Sequence, residues 1–215
     1  MYVLFDLDGT LVDSGPAHRR AAETAFRESG IAIDDEGMQR FLMAHDARSA
    51  GMQTDVYLDV WRRIQPLYRR EQESIAAFPG VREVLGGLGA VGITAGLVTS
   101  KRRWAVESEL ERLGWERQFA CVVCREDTRR HKPHPEPLQH AVERLGQTVL
   151  AYVGDAPSDV QAAKAAGLPA VGVAWGWAGG AALRAAGADW VLQSPAALLP
   201  LLQALTGGDL RAAEA

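Results

Sequence analysis

Two aspartates separated by a single residue stand at the end of the first apolar run of this chain. Asp6 and Asp8 follow the segment Tyr2-Val3-Leu4-Phe5 and precede Gly9. A short apolar run that ends in acidic residues and a glycine predicts a buried strand leading into a loop. Alternate residues of a strand face the same side, so both carboxylates can point into one pocket. Because close carboxylates repel each other unless a cation or a shared proton intervenes, the pair predicts a metal ion and a proton transfer.

Polar residues also follow three later predicted strands. These residues are Thr99, Ser100 and Lys101 after the second core strand, Lys132 after the third, and Asp155 and Asp159 after the fourth. In open α/β sheets, ligands bind at the edge formed by the carboxyl ends of the strands. We therefore expect hydroxyl, ammonium and carboxylate groups to meet at one edge of a sheet.

The part of the chain from Val91 onward alternates predicted strands with predicted helices. We predict strands at 93–98, 119–123, 149–153, 170–173 and 190–192, and helices at 103–113, 137–145, 158–166 and about 195–205. Repeated strand–helix alternation is typical of a parallel sheet covered on both faces. The fold class predicted is α/β, with a doubly wound, Rossmann-like parallel sheet.

The stretch between Asp13 and Phe78 has a different pattern, with helical segments and no convincing strand. Its last helical segment spans about 55–75, and we expect Pro66 to kink or break it. We predict a core domain formed by residues 1–14 and 79–215 and an inserted helical cap domain formed by residues 15–78. Such an insert directly after the first strand is expected to act as a lid over the carboxyl end of that strand.

The bulk composition limits the classes of partner. The chain has 215 residues, 47% of them hydrophobic, and a formal net charge of −4. This charge favours neither a nucleic-acid backbone nor an anionic membrane as the main partner. No stretch approaches the roughly 20 apolar residues of a membrane span. Strand-like sequence begins directly after Met1, which leaves no room for a signal peptide, so we expect a cytoplasmic protein.

A C-x-x-C pair at Cys121 and Cys124, followed by His131 and His134, raises the question of a zinc or redox site. Residues three apart on a strand point to opposite faces, so two thiols in the predicted strand cannot share a metal. The interval between Cys124 and His131 is also too short for a zinc finger. We interpret both cysteines as buried strand residues.

Taken together, the motifs resemble those of the haloacid dehalogenase-like hydrolases. The resemblance consists of D-x-D-G-T from Asp6 to Thr10, a strand ending in Thr99-Ser100, the pair Lys132-Pro133, and G-D-x-x-x-D from Gly154 to Asp159, in that order. It covers essentially the whole chain, and the helical insert is similar to the cap of the phosphoglycolate phosphatase-like subgroup. The resemblance implies a Mg²⁺-dependent phosphatase for a small phosphorylated metabolite, with phosphoglycolate as the first candidate. It leaves monomer or homodimer open.

The resemblance also implies a role for each acidic residue. Asp6 would be the nucleophile that forms an aspartyl-phosphate, and Asp8 the general acid and base. Asp6, the backbone carbonyl of Asp8, and Asp155 would hold Mg²⁺ through hard oxygen ligands. Asp159 would bind the metal directly or orient its water shell. A cap in the first turn of a helix is the alternative role for Asp159.

The remaining implied site residues would bind the phosphate group. Lys132 would supply positive charge to the phosphate and to Asp6, and Thr99 would donate a hydroxyl hydrogen bond, with Ser100 as the alternative for that role. We expect Lys101 and the two arginines after it to form a solvated face rather than to bind phosphate.

Several related activities share parts of this pattern. A sugar phosphomutase of the beta-phosphoglucomutase type has nearly the same motifs, and a pyrophosphatase or nucleotidase also remains open. Asp8 and the G-D-x-x-x-D segment argue against a 2-haloacid dehalogenase, and the absence of lysine between Asp13 and Phe78 argues against a phosphonatase. From a different class, a phospho-acceptor signalling domain clusters similar residues but has no large helical insert.

Overall fold

The structure, a computed structural model, describes residues 1–44 and 47–207. The strands are β1 (Tyr2–Phe5), β2 (Val12–Asp13), β3 (Ala76–Ala77), β4 (Thr94–Val98), β5 (Phe119–Val123), β6 (Val149–Gly154), β7 (Ala170–Val173) and β8 (Trp190–Leu192). The α-helices are α1 (Gly15–Glu28), α2 (Asp35–Met43), α3 (Thr54–Glu71), α4 (Val81–Gly87), α5 (Arg103–Leu113), α6 (Glu136–Leu145), α7 (Pro157–Ala165), α8 (Gly179–Ala185) and α9 (Leu198–Gly207).

Six of the described strands form one sheet in the order β5-β4-β1-β6-β7-β8, and all neighbouring strands are parallel. Strand β1 lies inside this sheet because Val3, Leu4 and Phe5 are all apolar and fully buried, so both of its faces are covered. On one side of β1 lie β4 and then β5. On the other side lie β6, β7 and β8, so the strands follow chain order outward in both directions. This reversal places the ligand-binding edge beside β1 and confirms the predicted doubly wound α/β fold.

One face of the sheet is covered by helices α6, α7 and α8. Their buried side chains join strand residues in a single apolar cluster, to which Leu4, Leu138, Val160 and Leu183 contribute. Helix α7 contributes small residues such as Ala162, which allow its backbone to approach the sheet closely. This packing fixes the first turn of α7 next to the carboxyl end of β6.

The contacts divide the chain into two units. The core unit is Met1–Asp13 with the residues from Ala76 onward, and the inserted unit is Ser14–Ile75. The divisions predicted from the sequence lie after residues 14 and 78. The difference at the second division comes from β3, which pairs with β2 in an antiparallel ladder and belongs to the core unit. Strands of two residues carry too little periodicity to be recognised in a sequence.

The inserted unit is helical, and α1 packs against both α2 and α3. Aromatic rings fill its interior: the centroids of Phe26 and Phe41 are 4.9 Å apart, and those of Phe41 and Trp61 are 5.3 Å apart. The expectation of a break at Pro66 is wrong, because α3 continues through it. Both Pro66 and Arg62 are exposed, so water can satisfy the carbonyl that loses its hydrogen bond. None of the helices in the described ranges is long and apolar enough to cross a membrane.

The central position of β1 yields a stability prediction. Replacing the fully buried Leu4 with alanine should lower the free energy of unfolding by about 2–5 kcal/mol, because a cavity opens between the sheet and the helices. Leu58→Ala is the matched control, since Leu58 is 45% exposed on α3 and its truncation should cost less than about 1 kcal/mol. Urea denaturation of the two variants and the wild type measures the difference. Equal losses in the two variants would contradict the assignment of β1 to the core.

Candidate active site

Three of the predicted acidic residues meet at the carboxyl ends of β1 and β6. Asp6 extends the ladder of β1, since its backbone N–H donates to Val153 O at 2.8 Å. Carboxylate oxygens of Asp6, Asp155 and Asp159 lie within 4.8 Å of one another. All three residues are buried, with 5%, 2% and 2% of their surface exposed, respectively. The sheet edge therefore gathers oxygen ligands of the kind that a hard divalent cation prefers.

Lys132 connects two of these acidic residues. Its Nζ donates to Asp6 Oδ1 at 2.7 Å and to Asp159 Oδ1 at 2.6 Å, with the lysine side chain only 6% exposed. An unpaired buried ammonium would be strongly destabilising, so these two carboxylates hold Lys132 in the interior. The loop after β5 thus delivers a positive charge directly against the carboxylate of Asp6.

Tyr152 on β6 is part of this site, and the sequence analysis did not single it out. Its hydroxyl donates to Val98 O at 2.9 Å and accepts a hydrogen bond from Lys132 Nζ at 2.8 Å. The available signal was a tyrosine in an otherwise apolar strand, two residues before Gly154-Asp155, because a buried phenol needs a hydrogen-bond partner. Tyr152 joins the lysine to the end of β4.

Asp159 has the capping role that was the alternative in the sequence analysis, and it also binds Lys132. While Oδ1 accepts from Lys132, Oδ2 accepts the backbone N–H of Ala156 at 3.0 Å at the start of α7. The carboxylate is therefore a helix cap and also an anchor for the lysine. These two contacts fix its orientation in the cluster.

Asp155 is held by a loop that follows β7. The backbone N–H of Trp177 donates to Asp155 Oδ2 at 2.8 Å. A Cβ atom on Gly176 would lie 2.3 Å from Asp155 Cβ and 2.4 Å from Gly9 O, and one on Gly9 (φ +78°) would lie 2.2 Å from Asp155 Oδ2. Glycine is therefore required at both positions by close approach, and at Gly9 also by its left-handed backbone. Trp175 Nε1 attaches the same loop to the first loop by donating to Thr10 O at 3.1 Å.

The electrostatics of the cluster follow from burial. Burial raises the pKa of Asp6 to about 7; the charge of Lys132 opposes this rise, and those of Asp159 and Asp8 add to it. Burial, with the charges of Asp159 and Asp6, also raises the pKa of Asp155 well above its usual value. For Lys132, burial lowers the pKa, but the charges of Asp159 and Asp6 outweigh it and hold that pKa well above normal. The carboxylates carry more negative charge than one lysine balances.

Asp8 is outside the three-acid cluster and has a lysine of its own. Lys101 Nζ lies 2.9 Å from Asp8 Oδ1 and 2.5 Å from Glu109 Oε1. The expectation that Lys101 lies on a solvated face is wrong, because its side chain is only 6% exposed and Glu109 on α5 is fully buried. A run of basic residues on a loop resembles a solvated face in sequence, and the buried partner lies on the next helix.

The two residues proposed to bind phosphate through hydroxyls lie at the end of β4. Thr99 is buried; its backbone N–H donates to Val123 O at 2.9 Å, and its Oγ1 accepts the N–H of Lys101 at 3.1 Å. Ser100 is exposed. The Thr99 hydroxyl therefore stabilises the loop that carries Lys101 through a hydrogen bond, while Ser100 faces solvent at the same strand end.

Both cysteines are buried as predicted, but only Cys121 is a strand residue. Cys121 lies on β5 and Cys124 directly follows it, and both are buried free thiols. Burial raises the pKa of both thiols, that of Cys124 to about 11, which disfavours the reactive thiolate. Neither thiol is in the metal-type cluster found among the described residues.

The fold and this edge define an α/β protein with a carboxylate–lysine centre at the switch point of a doubly wound sheet. A family model described as haloacid dehalogenase-like hydrolase matches residues 3–173. The chain therefore belongs to the haloacid dehalogenase-like hydrolases, as the motifs predicted.

Individual relatives agree with this assignment. The phosphoglycolate phosphatase of Escherichia coli strain K12 is 34% identical over 231 residues, which covers 93% of this chain and 91% of that protein. The phosphoglycolate phosphatase of Salmonella paratyphi A is 34% identical over 230 residues, with coverage of 93% and 91%. The crystal structure of a hydrolase from Pseudomonas syringae matches with a TM-score of 0.80 and 26% identity, covering 96% of this chain and 98% of that one. The family and the named relatives identify the chain as a phosphatase.

The raised pKa of Asp6 predicts how stability depends on pH. Between the usual value of 3.8 and about 7, the folded protein binds a proton at Asp6 that the unfolded chain has released. The stability due to that proton is fully present below pH 3.8, the pKa of the unfolded chain. It is lost as pH rises through about 7, the pKa of Asp6 in the folded protein. Asp6→Asn cannot ionise, so in chelator it should gain roughly 1–3 kcal/mol over wild type between about pH 4 and 8. Urea denaturation at several pH values measures this gain.

Asp189→Asn is the control of opposite sign. Burial opposes the shift, but the N–H of Ala170 and the ammonium of Lys164 outweigh it and lower the pKa of Asp189. This variant should therefore be less stable than wild type near neutral pH, and the difference should shrink on acidification. An Asp6→Asn difference that stays constant with pH would contradict the assigned shift.

The close approach of the loop after β7 to Asp155 predicts the effect of a single methyl group. Gly176→Ala should displace Asp155 or Gly9 and reduce phosphatase activity by about 10-fold or more, since misplacement by about 1 Å is costly. Gly86→Ala is the control, because a Cβ there meets nothing within 4 Å and alanine favours the helix α4. Steady-state kinetics and thermal unfolding separate activity from stability. Full activity in Gly176→Ala would contradict the tight fit.

Proposed function

We propose that this chain is a Mg²⁺-dependent phosphatase that hydrolyses a small phosphomonoester through an aspartyl-phosphate on Asp6, with 2-phosphoglycolate as the first substrate. The observation that carries the proposal is the buried carboxylate of Asp6, which adjoins Lys132 Nζ at 2.7 Å and shares a cluster with Asp155 and Asp159. A nucleophile for an anionic substrate needs neighbouring positive charge, and this site supplies one lysine together with oxygen ligands for a cation.

The acidic cluster fits a divalent cation. Its three carboxylates are buried within 4.8 Å of one another, and burial raises the pKa of Asp6 and Asp155, so added positive charge would stabilise their ionised forms. We propose that Asp6, Asp155 and the backbone carbonyl of Asp8 hold Mg²⁺, and that Asp159 binds it directly or through water. When bound, the ion would neutralise charge on the phosphate and on the attacking carboxylate.

The residues of the chain carry the two halves of the proposed reaction. In the first, a carboxylate oxygen of Asp6 bonds to phosphorus, the ester P–O bond breaks, and the carboxyl group of Asp8 gives its proton to the departing oxygen. In the second half, water attacks the aspartyl-phosphate. The Asp8 carboxylate takes a proton from the water as the water oxygen bonds to phosphorus, and the bond between phosphorus and the Asp6 oxygen breaks. Inorganic phosphate and the free alcohol are the products.

Three further groups would stabilise the charge that develops on the phosphoryl oxygens. Lys132 carries a full positive charge against Asp6, and its buried position strengthens that interaction relative to water. We propose that Thr99 and Ser100, at the end of β4, provide the remaining hydrogen-bond donors.

The substrate proposal is supported by the relatives. Two enzymes named phosphoglycolate phosphatase align over 93% of this chain at 34% identity. The composition agrees with a small phosphorylated metabolite as partner, since a formal net charge of −4 favours neither a nucleic acid nor an anionic membrane.

A substrate panel tests the function. We expect phosphate release from 2-phosphoglycolate in Mg²⁺, its loss in chelator, and a fall on the order of 10³-fold or more in Asp6→Asn, which lacks the nucleophile. Asp59→Asn is the matched control and should leave activity unchanged, because the Asp59 side chain on α3 is 47% exposed and pairs with Arg63.

Two results would contradict the proposal. Activity retained by pure Asp6→Asn would exclude the aspartyl-phosphate route. Conversion of a sugar phosphate to its isomer without release of free phosphate would indicate a phosphomutase instead.

A further inference from the structure

Helix α5 buries a carboxylate that the proposed reaction does not use. Glu109 is fully buried, and its neighbours on the interior side of the helix are apolar residues such as Val106 and Leu110. The helical pattern therefore calls for an apolar residue at this position. A charge in the interior is retained only when a partner compensates the cost of removing it from water.

The partner is Lys101, and both of its ends are fixed. Its Nζ is 2.5 Å from Glu109 Oε1, its backbone N–H donates to Thr99 Oγ1 at 3.1 Å, and its carbonyl accepts the N–H of Arg125 at 3.0 Å. The backbone and the ammonium group of this lysine are thus held independently. The ammonium then lies 2.9 Å from Asp8 Oδ1.

Asp8 itself is the more exposed member of the acidic pair. Its side chain is 17% exposed and lies on the loop after β1, outside the cluster of Asp6, Asp155 and Asp159. A general acid must lie within hydrogen-bond reach of the atom that it protonates, and small displacements are costly. An external group that fixes this carboxyl group would therefore contribute directly to the rate of proton transfer.

We propose that Glu109 is a positioning residue for proton transfer: it fixes the Lys101 ammonium, and Lys101 in turn fixes the carboxyl group of Asp8. The inference rests on the proposed function, in which Asp8 is the proton donor and acceptor. During that reaction Asp8 alternates between neutral and charged forms, and Lys101 needs a counter-charge throughout. Glu109 supplies the constant counter-charge, so the lysine keeps its position when Asp8 is neutral.

The test compares substrates that differ in their need for a proton donor. An alkyl phosphate such as 2-phosphoglycolate releases a poor leaving group that must be protonated, whereas p-nitrophenyl phosphate releases a stable anion. Glu109→Gln should lower kcat for the alkyl ester by about 10–100-fold, part of the gain typical of general acid catalysis. KM and the first-turnover rate of nitrophenolate release should change by less than about 3-fold, because substrate binding and attack by Asp6 are intact.

A second set of variants tests whether Glu109 acts through Lys101. Lys101→Met should show the same substrate contrast, and Lys101→Met/Glu109→Leu should be no worse than Lys101→Met alone. The double variant also serves as a check on folding. A single substitution leaves a buried charge without its partner, whereas apolar groups often replace a buried ion pair without loss of stability. Glu107→Gln is the matched control, since Glu107 lies on the same helix with its side chain 67% exposed, and it should match wild type.

The outcomes separate this inference from the proposed function. Wild-type kcat on the alkyl ester in Glu109→Gln would overturn the positioning role. An equally large fall in the first-turnover rate of nitrophenolate release would overturn it as well. A double variant clearly worse than Lys101→Met would also overturn it, because Glu109 would then act by another route. Full activity in Asp6→Asn would instead overturn the proposed function, whatever Glu109→Gln shows.

Discussion

Repulsion between buried carboxylates is the constraint on which the candidate site depends. Asp6, Asp155 and Asp159 lie within 4.8 Å of one another in the interior, where each charge interacts strongly with the others. Lys132 offsets part of this repulsion by bonding to two of the three. Burial, to which the charges of the neighbouring carboxylates add, nevertheless raises the pKa values of Asp6 and Asp155. The surrounding structure holds these groups together despite that cost, through Gly9 in the first loop and Gly176 and Trp177 in the loop after β7.

The two aspartates of the first loop are each paired with a lysine that a second carboxylate holds in place. Asp6 bonds to Lys132, and Lys132 is held by a second acidic residue, Asp159 in the first turn of α7. Asp8 bonds to Lys101, and that lysine is likewise held by an acidic residue on a helix. Each aspartate therefore has its own cation, and each cation has its own anchor. This arrangement lets two carboxylates one residue apart occupy different electrostatic environments, which suits one as a nucleophile and the other as a proton carrier.

The sequence predicted the fold well because its signals were long and periodic. The strands at 119–123, 170–173 and 190–192 and the helix at 103–113 have the predicted limits, because glycines and apolar runs mark them clearly. The three acidic residues and Lys132 were also expected at one edge, since they follow strands of a parallel sheet. The site contacts of Tyr152 and the pairing of Lys101 with Asp8 were not predicted, because these partners are distant in the chain. The pairing of Lys101 with Glu109 was also not predicted, because a run of basic residues on a loop is typical of a solvated face. The break expected at Pro66 is absent because an exposed helix face lets water replace a missing hydrogen bond.

The short pairing of β2 with β3 has a consequence for how this chain can vary. Asp13 lies directly opposite Ala76 in the ladder, so the two points at which the chain leaves and re-enters the core unit are adjacent. A unit inserted between neighbouring points places no geometric demand on the sheet, as with domain insertions at surface loops. The 62 residues from Ser14 to Ile75 are therefore a replaceable module. The core can keep its chemistry while a different insert, of another length or shape, is joined to the same two strands.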